Sequence, residues 1–468
     1  MRLRLFPLLA VFTCLLITLL AGGATQAEAA GFTVLTNFPE ANNTINAIVV
    51  DPATNIAYIG GLFTTVGGQL RNRLAAVDLT TGAVTSWNPG ANNVVFCLIK
   101  EGANIYVGGD FTVAGGESRK YVAALDATTG LATSWDANAD EGITAMVSDG
   151  SYIYAAGFFN NIGGKAYKGL AKLSISNAAA QGGWSPNPNN GSLGLAIVGD
   201  KLYAGGFFTS IGGMTRYGVA ELNTSDGTVT AWDPSPNTAL GISMLVASNG
   251  YIYVTGNFAT MGGQTRNGAA NISIATGNAG SWDPNPSNPV QAMAVDGSNI
   301  YIGGSFSTVG GQSRKGIALV DAATGSLLPW NPEANGTVKS IAFTSSTVFL
   351  GGDTFSKVGG IDRQNFAAVT KNAITPTAPT VKVDGKKKIT PTKSKVTIKG
   401  SASVSGVTSG SVSLVKVKVG NKGYKAANGT TSWSFKAALK MGKTKITIVA
   451  VGSAGLSSAP VTITAVRK

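Results

Sequence analysis

The sequence predicts an all-β chain: a seven-bladed β-propeller followed by a small, very basic all-β domain. Three observations predict it. A unit of about fifty residues recurs, marked by Tyr58, Tyr106, Tyr154, Tyr203, Tyr253, Tyr301 and Phe349 at spacings of 48 to 50 residues. Within each unit, short apolar stretches alternate with Gly, Asn, Asp and Pro, the pattern of a β-meander rather than of helices. Near residue 380 the repeat ends and the charge balance reverses.

The first unit shows the elements in order. Asn46–Val50 is an apolar strand, Ile56–Phe63 a second interrupted by Gly60-Gly61, Leu74–Leu79 a third and Ala83–Trp87 a fourth. Four strands at this period are the signature of a propeller blade. Phe follows the marker by five residues (Phe63, Phe111, Phe159, Phe208, Phe258, Phe306), and an inserted residue gives Phe355 in the seventh copy. A glycine pair comes next in every copy, from Gly67-Gly68 to Gly359-Gly360, where a turn needs positive φ. Asp78, Asp126, Ser174, Asn223, Ser273 and Asp321 end the third strand with side chains able to bond back to the backbone and close a turn. Trp87, Trp135, Trp184, Trp232, Trp282 and Trp330 follow, and Pro two residues later stops the fourth strand in five copies.

The seventh copy stops after its third strand, near Ala367–Thr370, and has no Trp strand. The segment Phe32–Asn37 offers the missing piece, because Pro39-Glu40-Ala41-Asn42 repeats Pro332-Glu333-Ala334-Asn335. The N-terminal strand is therefore expected to complete the last blade and remove the exposed edges of an open sheet.

Residues 1–29 read as a secretory signal peptide: Arg2 and Arg4, an apolar run from Leu5 to Leu20, then Ala27-Glu28-Ala29. No later stretch is apolar enough to span a bilayer, so the expected location is extracellular or in the cell envelope. The propeller is expected over 30–374, a stiff Thr/Pro linker over 375–380, and the basic domain over 381–468. Residues 381–468 hold seventeen Lys and Arg against one acid, Asp384, whereas 31–380 hold seventeen against twenty-one acids. That asymmetry predicts different partners for the two parts.

The stretch from Tyr106 to Arg119 (Tyr-Val-Gly-Gly-Asp-Phe-Thr, then Gly-Gly and Arg) resembles the bacterial delta-60 type propeller repeat. The resemblance spans Gly31 to about Thr370 and implies the propeller fold; no common activity follows from it. Ala76-Val77-Asp78 with Thr81-Gly82 and Trp87 is similar to the tryptophan-docking hairpin of quinoprotein propellers, with the Trp one residue later. That likeness concerns blade packing and implies no cofactor-binding residue. Beyond 380, the apolar runs, notably Thr447–Gly455, resemble a bacterial immunoglobulin-like domain, which implies a β-sandwich.

The chain contains no histidine, which excludes Ser-His-Asp and Cys-His catalysis and histidine-ligated metals. Cys97 is the one cysteine after the signal segment and reads as a small buried hydrophobe. No cofactor is expected; oxygen-ligated calcium stays open without a motif for it. Two groups of residues are candidates for a ligand face. One is the arginine thirteen residues past the marker (Arg71, Arg119, Arg216, Arg266, Arg314, with Arg363 shifted and Tyr167 in the third copy). These suit acidic sugars, or alternatively serve each blade by stacking on Trp or pairing with Asp136, Asp233 or Asp283. A feature repeated in nearly every blade more often serves architecture than one ligand. The other group is the acids that depart from the repeat, Glu40, Glu333, Asp140 and Glu141.

The expected function is a non-catalytic secreted or surface binding protein, with a protein or glycan on a propeller face. The alternative is a propeller enzyme, either a carboxylate-based glycan hydrolase or lyase or a quinone-dependent dehydrogenase, which requires several non-repeat polar residues on the axis; few are expected. In the basic domain, Lys416 and Lys418 share one face of a strand. They read as a solvated guard against edge pairing or as a contact for an anionic envelope polymer. Nucleic acid is disfavoured, since Trp433 and Tyr424 are too few for a stacking platform.

Overall fold

The computed structural model describes residues 31–237 and 241–371, and beyond them 380–385, 388–389, 395–403, 412–428, 432–452, 458 and 460–467. The expected signal peptide lies outside the described residues, as does the expected linker apart from Thr380, which opens a strand. Every described element is a strand, and the chain is a β-propeller.

Each repeat folds as a three-stranded antiparallel meander. In the first, Ile45–Asp51 pairs with Ile56–Gly61, which pairs with Leu74–Asp78. The inner strands Ile45–Asp51, Val95–Glu101, Ile143–Ser148, Ser192–Val198, Ile242–Ser248, Val290–Asp296 and Thr337–Phe343 pack each on the next, and the last packs on the first. Val34–Leu35 pairs antiparallel with Phe366–Thr370, Val34 facing Val369, and gives the last sheet a fourth strand.

Two local expectations are corrected. The fourth strand, Ala83–Trp87, is not a strand. It touches the third by a single bridge, Val77 to Val84, and by the Thr85 amide donating to the Ala76 carbonyl at 2.9 Å. The segment is held by its Trp instead of by a ladder. Gly60-Gly61 does not interrupt the second strand but lies within it. There the next sheet approaches so closely that a Cβ on Gly60 would sit 2.7 Å from Val95 Cγ1, while one on Gly61 would strike the Thr44 carbonyl of its own sheet. Gly108, Gly205, Gly303 and Gly351 meet the next inner strand in the same way. The second glycine pair turns a separate two-residue hairpin, Thr65–Val66 with Gln69–Leu70, with both φ angles positive at 56° and 73°.

The core lies between sheets. Tyr58, Leu74, Ala76 and Trp87 of the first repeat pack with Val95, Ile105, Val107 and Phe111 of the second, and this layer recurs around the ring. Each marker Tyr meets its Trp edge to face, at 5.0 Å between Tyr58 and Trp87. In five of the six pairs the indole N–H then donates onward, as Trp87 does to the Asp126 carbonyl at 3.0 Å and Trp135 to Ser174 at 2.9 Å; the buried Trp282 N–H makes no such bond among the described residues. Trp330 reaches Thr370, the end of the last sheet.

Beyond residue 380, Thr380–Val383, Lys395–Ser403 and Ser432–Ala438 form one sheet. Lys388–Ile389, Val461–Arg467, Gly442–Gly452, Val412–Val419 and Lys425–Ala426 form another. They enclose Val381, Ile398, Trp433, Val415, Val417, Ile446 and Ile448. Trp433 is therefore core, whereas Tyr424 is exposed.

Two predictions follow from this packing. Phe38, buried with its ring 5.5 Å from that of Phe349, joins the N-terminal segment to the last repeat. Phe38→Ala is expected to lower unfolding stability by about 3–5 kcal/mol, and trimming 31–39 to lower the melting temperature further; scanning calorimetry measures both. The carboxylates of Asp78, Asp126 and Asp321 are held below the ordinary range by hydrogen bonds from Thr81, Thr129 and Thr324. A carboxyl depressed in the folded state stabilises it above the unfolded value and stops doing so as pH falls through the folded one. Melting temperature should therefore drop as pH is taken from about 5 to about 2, and Asp126→Asn should lower it at neutral pH while making that acid drop shallower.

Candidate functional site

The repeated arginines serve their own repeats. In Arg71, Arg119, Arg216, Arg266 and Arg314, one guanidinium nitrogen donates to the preceding residue's carbonyl, at 2.7–2.8 Å. The other donates to the carbonyl fourteen residues on: Thr85, Thr133, Thr230, Gly280 and Leu328, at 2.6–3.4 Å. Each thus pins the outer Trp segment to the hairpin. Tyr167 supplies the same bond in the third repeat, its hydroxyl donating to the Gln181 carbonyl at 2.6 Å. Arg119, Arg216 and Arg266 pair with Asp136, Asp233 and Asp283 at 3.6–4.0 Å. Arg363 closes the ring, donating to the Leu35 carbonyl at 3.2 Å and lying 3.4 Å from Glu40.

The acids divide. Asp140 does not depart from the repeat: its carboxylate accepts the amides of Asn160 and Asn161 at 2.8 and 3.0 Å. Asn92 does the same with Thr112 and Val113, and Asn42 with Thr64 and Thr65. A side-chain oxygen three residues before the inner strand, as at Asn42, Asn92 and Asp140, is thus a structural requirement, met by Asn, Asp or Ser. Glu40 faces Arg363. Glu333, in a left-handed conformation at φ 45°, opposes the burial that lowers the pKa of Arg314. These two acids therefore engage different arginines. Glu141 is exposed.

The place where the repeats differ is the axis. Every inner strand carries a bulge at its second residue, or its third in the last, so that Asn46, Phe96, Thr144, Leu193, Ser243, Gln291 and Lys339 have no partner in the ladder. Bulges re-aim side chains next to functional sites. All but Gln291 line an axial cavity of about 270 Å³. The expectation of few non-repeat polar residues here is corrected: five of these seven are polar. Three bond to backbone carbonyls. Asn46 donates to Val95 at 2.9 Å and Thr144 to Ser192 at 2.9 Å, each across to the next inner strand, and Ser243 donates to Thr255 at 3.3 Å. Lys339 lies 3.3 Å from Asp353, which also accepts from Thr44 at 3.1 Å. Cys97 lines the same cavity, and burial pushes its thiol up to about 12, so it is not an activated nucleophile.

The residue four after each marker, at the end of the second strand, also varies: Leu62, Asp110, Phe158, Phe207, Asn257, Ser305 and Asp353. Sequence reasoning passed over both sets. Their signal was a column ten residues before each marker, twelve in the first copy, that changes chemistry while its neighbours stay apolar.

A family profile described as a domain of unknown function (DUF5122) beta-propeller matches residues 200–229. No curated protein matches the chain. Among solved structures, it is similar to the computationally designed Ika8 protein, with 13% identity and a TM-score of 0.47, over 71% of this chain and 98% of that one. It is also similar to the extracellular domain of BT4673 from B. thetaiotaomicron, with 10% identity and a TM-score of 0.46, over 94% of this chain and 60% of that one. The chain therefore spans about three fifths of that domain. Among the described residues, no helix is long and apolar enough to cross a membrane.

The clamp has its own test. Tyr167→Phe should lower stability by about 1 kcal/mol, and Arg216→Met by about 1.5–3 kcal/mol since its bonds are charge-assisted. Urea midpoints at constant slope would report both; an unchanged midpoint in either variant would detach that residue from the architecture.

Proposed function

We propose that this chain is an exported seven-bladed β-propeller of the delta-60 repeat type, carrying a C-terminal immunoglobulin-like sandwich, and that it acts as a non-catalytic binding protein. The seven inner strands that pack in chain order, the last on the first, support the blade number. The two sheets around one core beyond residue 380 support the sandwich.

One observation carries the binding reading. Near-identical repeats differ from one another mainly where the bulged residues and the strand-end residues meet the axial opening. Side chains with no shared architectural task are the ones free to fit a ligand, and the mouth of a propeller is a preformed concavity. The arginines and the acids Glu40, Glu333 and Asp140 are already bonded within the repeats. They support the ligand face by holding it rigid, with Glu141 left at its rim. The occupant is a glycan or an extended peptide segment lying across the opening. The basic sandwich is the attachment module, holding the protein to an anionic envelope polymer through exposed lysines such as Lys395, Lys399 and Lys436, an association that weakens with salt.

The test is a thermal-shift screen of soluble glycans and peptides on the full chain. A ligand should raise the melting temperature. Lys339→Ala and Phe96→Ala should remove that rise, and Arg266→Ala should preserve it. A rise that survives both axial substitutions would move the site off the axis and overturn the reading.

A further inference from the structure

Three consecutive repeats depart from the others together at the mouth. The residue two before each bulge is Thr44, Val94, Pro289 or Thr337 in four repeats, but Gly142, Gly191 and Gly241 in the third to fifth. Each of these glycines lies beneath the strand-end side chain of the preceding repeat. A Cβ on Gly142 would collide with Asp110, one on Gly191 would sit 2.5 Å from the ring of Phe158, and one on Gly241 2.8 Å from the ring of Phe207. The substitution to glycine makes room for Asp110, Phe158 and Phe207 to lie down over the neighbouring repeat. The two rings are 6.4 Å apart with 33° between their planes, and they are 40% and 37% exposed. Large apolar side chains left open in a row mark a binding surface. These rings have no role in the inter-sheet core, which the adjacent Phe159 and Phe208 fill.

The arc carries two carboxylates, and the Lys168 amine donates to the Asn189 carbonyl, two residues from Gly191, at 2.9 Å. The Asp110 carboxylate is half-buried, and burial raises its pKa; among the described residues, no cation or hydrogen bond offsets that desolvation. Glu141, beside Gly142, adds an exposed second carboxylate. Two tilted rings in line suit the apolar faces of consecutive pyranose units, and an uncompensated carboxylate at the end of the row suits an ammonium group on the next unit.

We infer that Asp110, Glu141, Phe158 and Phe207 form a subsite for an amino sugar with a free, protonated amine, within a linear glycan that runs along the second to fourth repeats. The inference deepens the axial-mouth reading and rests on it. A linear sugar chain is favoured over a basic peptide because the arc is a shallow shelf of flat rings, whereas an isolated Lys or Arg side chain calls for a closed pocket.

The experiment is calorimetric titration of the full chain with a glucosamine tetramer, its N-acetylated counterpart and tetra-arginine. The glucosamine tetramer should bind, the N-acetylated one at least tenfold more weakly. Phe158→Ala, Phe207→Ala and Asp110→Asn should each weaken the tetramer at least tenfold with the melting temperature unchanged, since these side chains are exposed or replaced isosterically. Gly191→Ala, which displaces the Phe158 ring, should weaken it too. Equal affinity for both tetramers, tighter binding of tetra-arginine, or full affinity in Asp110→Asn would each overturn the amino-sugar assignment. If another glycan is bound and is lost in Lys339→Ala while these arc variants retain it, the subsite is wrong and the axial reading stands. If the glucosamine tetramer shows no binding at all, the assignment falls as well.

Discussion

The structure depends on the close approach of each sheet to the next. In five repeats a glycine in the second strand lets the first core residue of the following inner strand enter its van der Waals space, as Val95 does at Gly60 and Val338 at Gly303, while Ala156 and Thr255 stand there in the third and fifth. Behind that contact, the marker Tyr and its Trp meet edge to face, and in five of the six pairs the indole N–H reaches the following sheet. Such aromatic pairs contribute about 0.5–1.5 kcal/mol beyond their burial. No sheet here has a core of its own; each buries its apolar face only against its neighbours. The arrangement is therefore stable as a ring, and the ring needs the N-terminal segment, whose Val34–Leu35 strand and Phe38 ring complete the last layer.

This constraint separates architecture from function within each repeat. Residues that hold sheet to sheet, or outer segment to hairpin, must recur, and they do. Arg71 and its equivalents recur because the carbonyl they reach recurs, and Tyr167 is informative because a different side chain delivers a donor to the same acceptor position. Asp140 recurs in role though not in identity, standing where other repeats have Asn or Ser. What the packing allows to change in chemistry from repeat to repeat is the bulged residue, which leaves the ladder, and the strand-end residue beside it.

The repeat was legible in the sequence because its period is carried by large or conformationally special residues: Tyr, Phe, Trp and paired Gly. The turn aspartates were legible too, since Asp78, Asp126 and Asp321 make the bonds their chemistry suggests. The outer strand was misread because Ala83–Trp87 has strand composition, while its attachment is a Trp anchor and an arginine bond instead of a ladder. The glycines inside the second strand were misread for a related reason: a glycine needed for close approach and one that interrupts a strand look alike until the neighbouring sheet is present. The axial residues were hidden because a bulge has no side-chain signature of its own. Asp140 departs from the repeat in identity but not in role, because the amides it accepts recur in other repeats.

The asymmetry of the mouth has a consequence for how such a ring changes without failing. In a ring assembled in chain order, the first and last repeats share the seam, and the third to fifth lie across the axis from it. The seam carries the longest-range constraints: the N-terminal strand, the Phe38–Phe349 pair, and Arg363 bonded back to Leu35 and Glu40. The glycines that admit Asp110, Phe158 and Phe207 lie in the third to fifth repeats. Losing a side chain at the start of an inner strand removes some burial there, and that loss is tolerated best where neighbouring sheets are covalently continuous. Near the seam, where closure is noncovalent, Thr44 keeps its side chain and bonds to Asp353 across the joint. The divergent surface thus sits in the part of the ring where divergence least endangers closure.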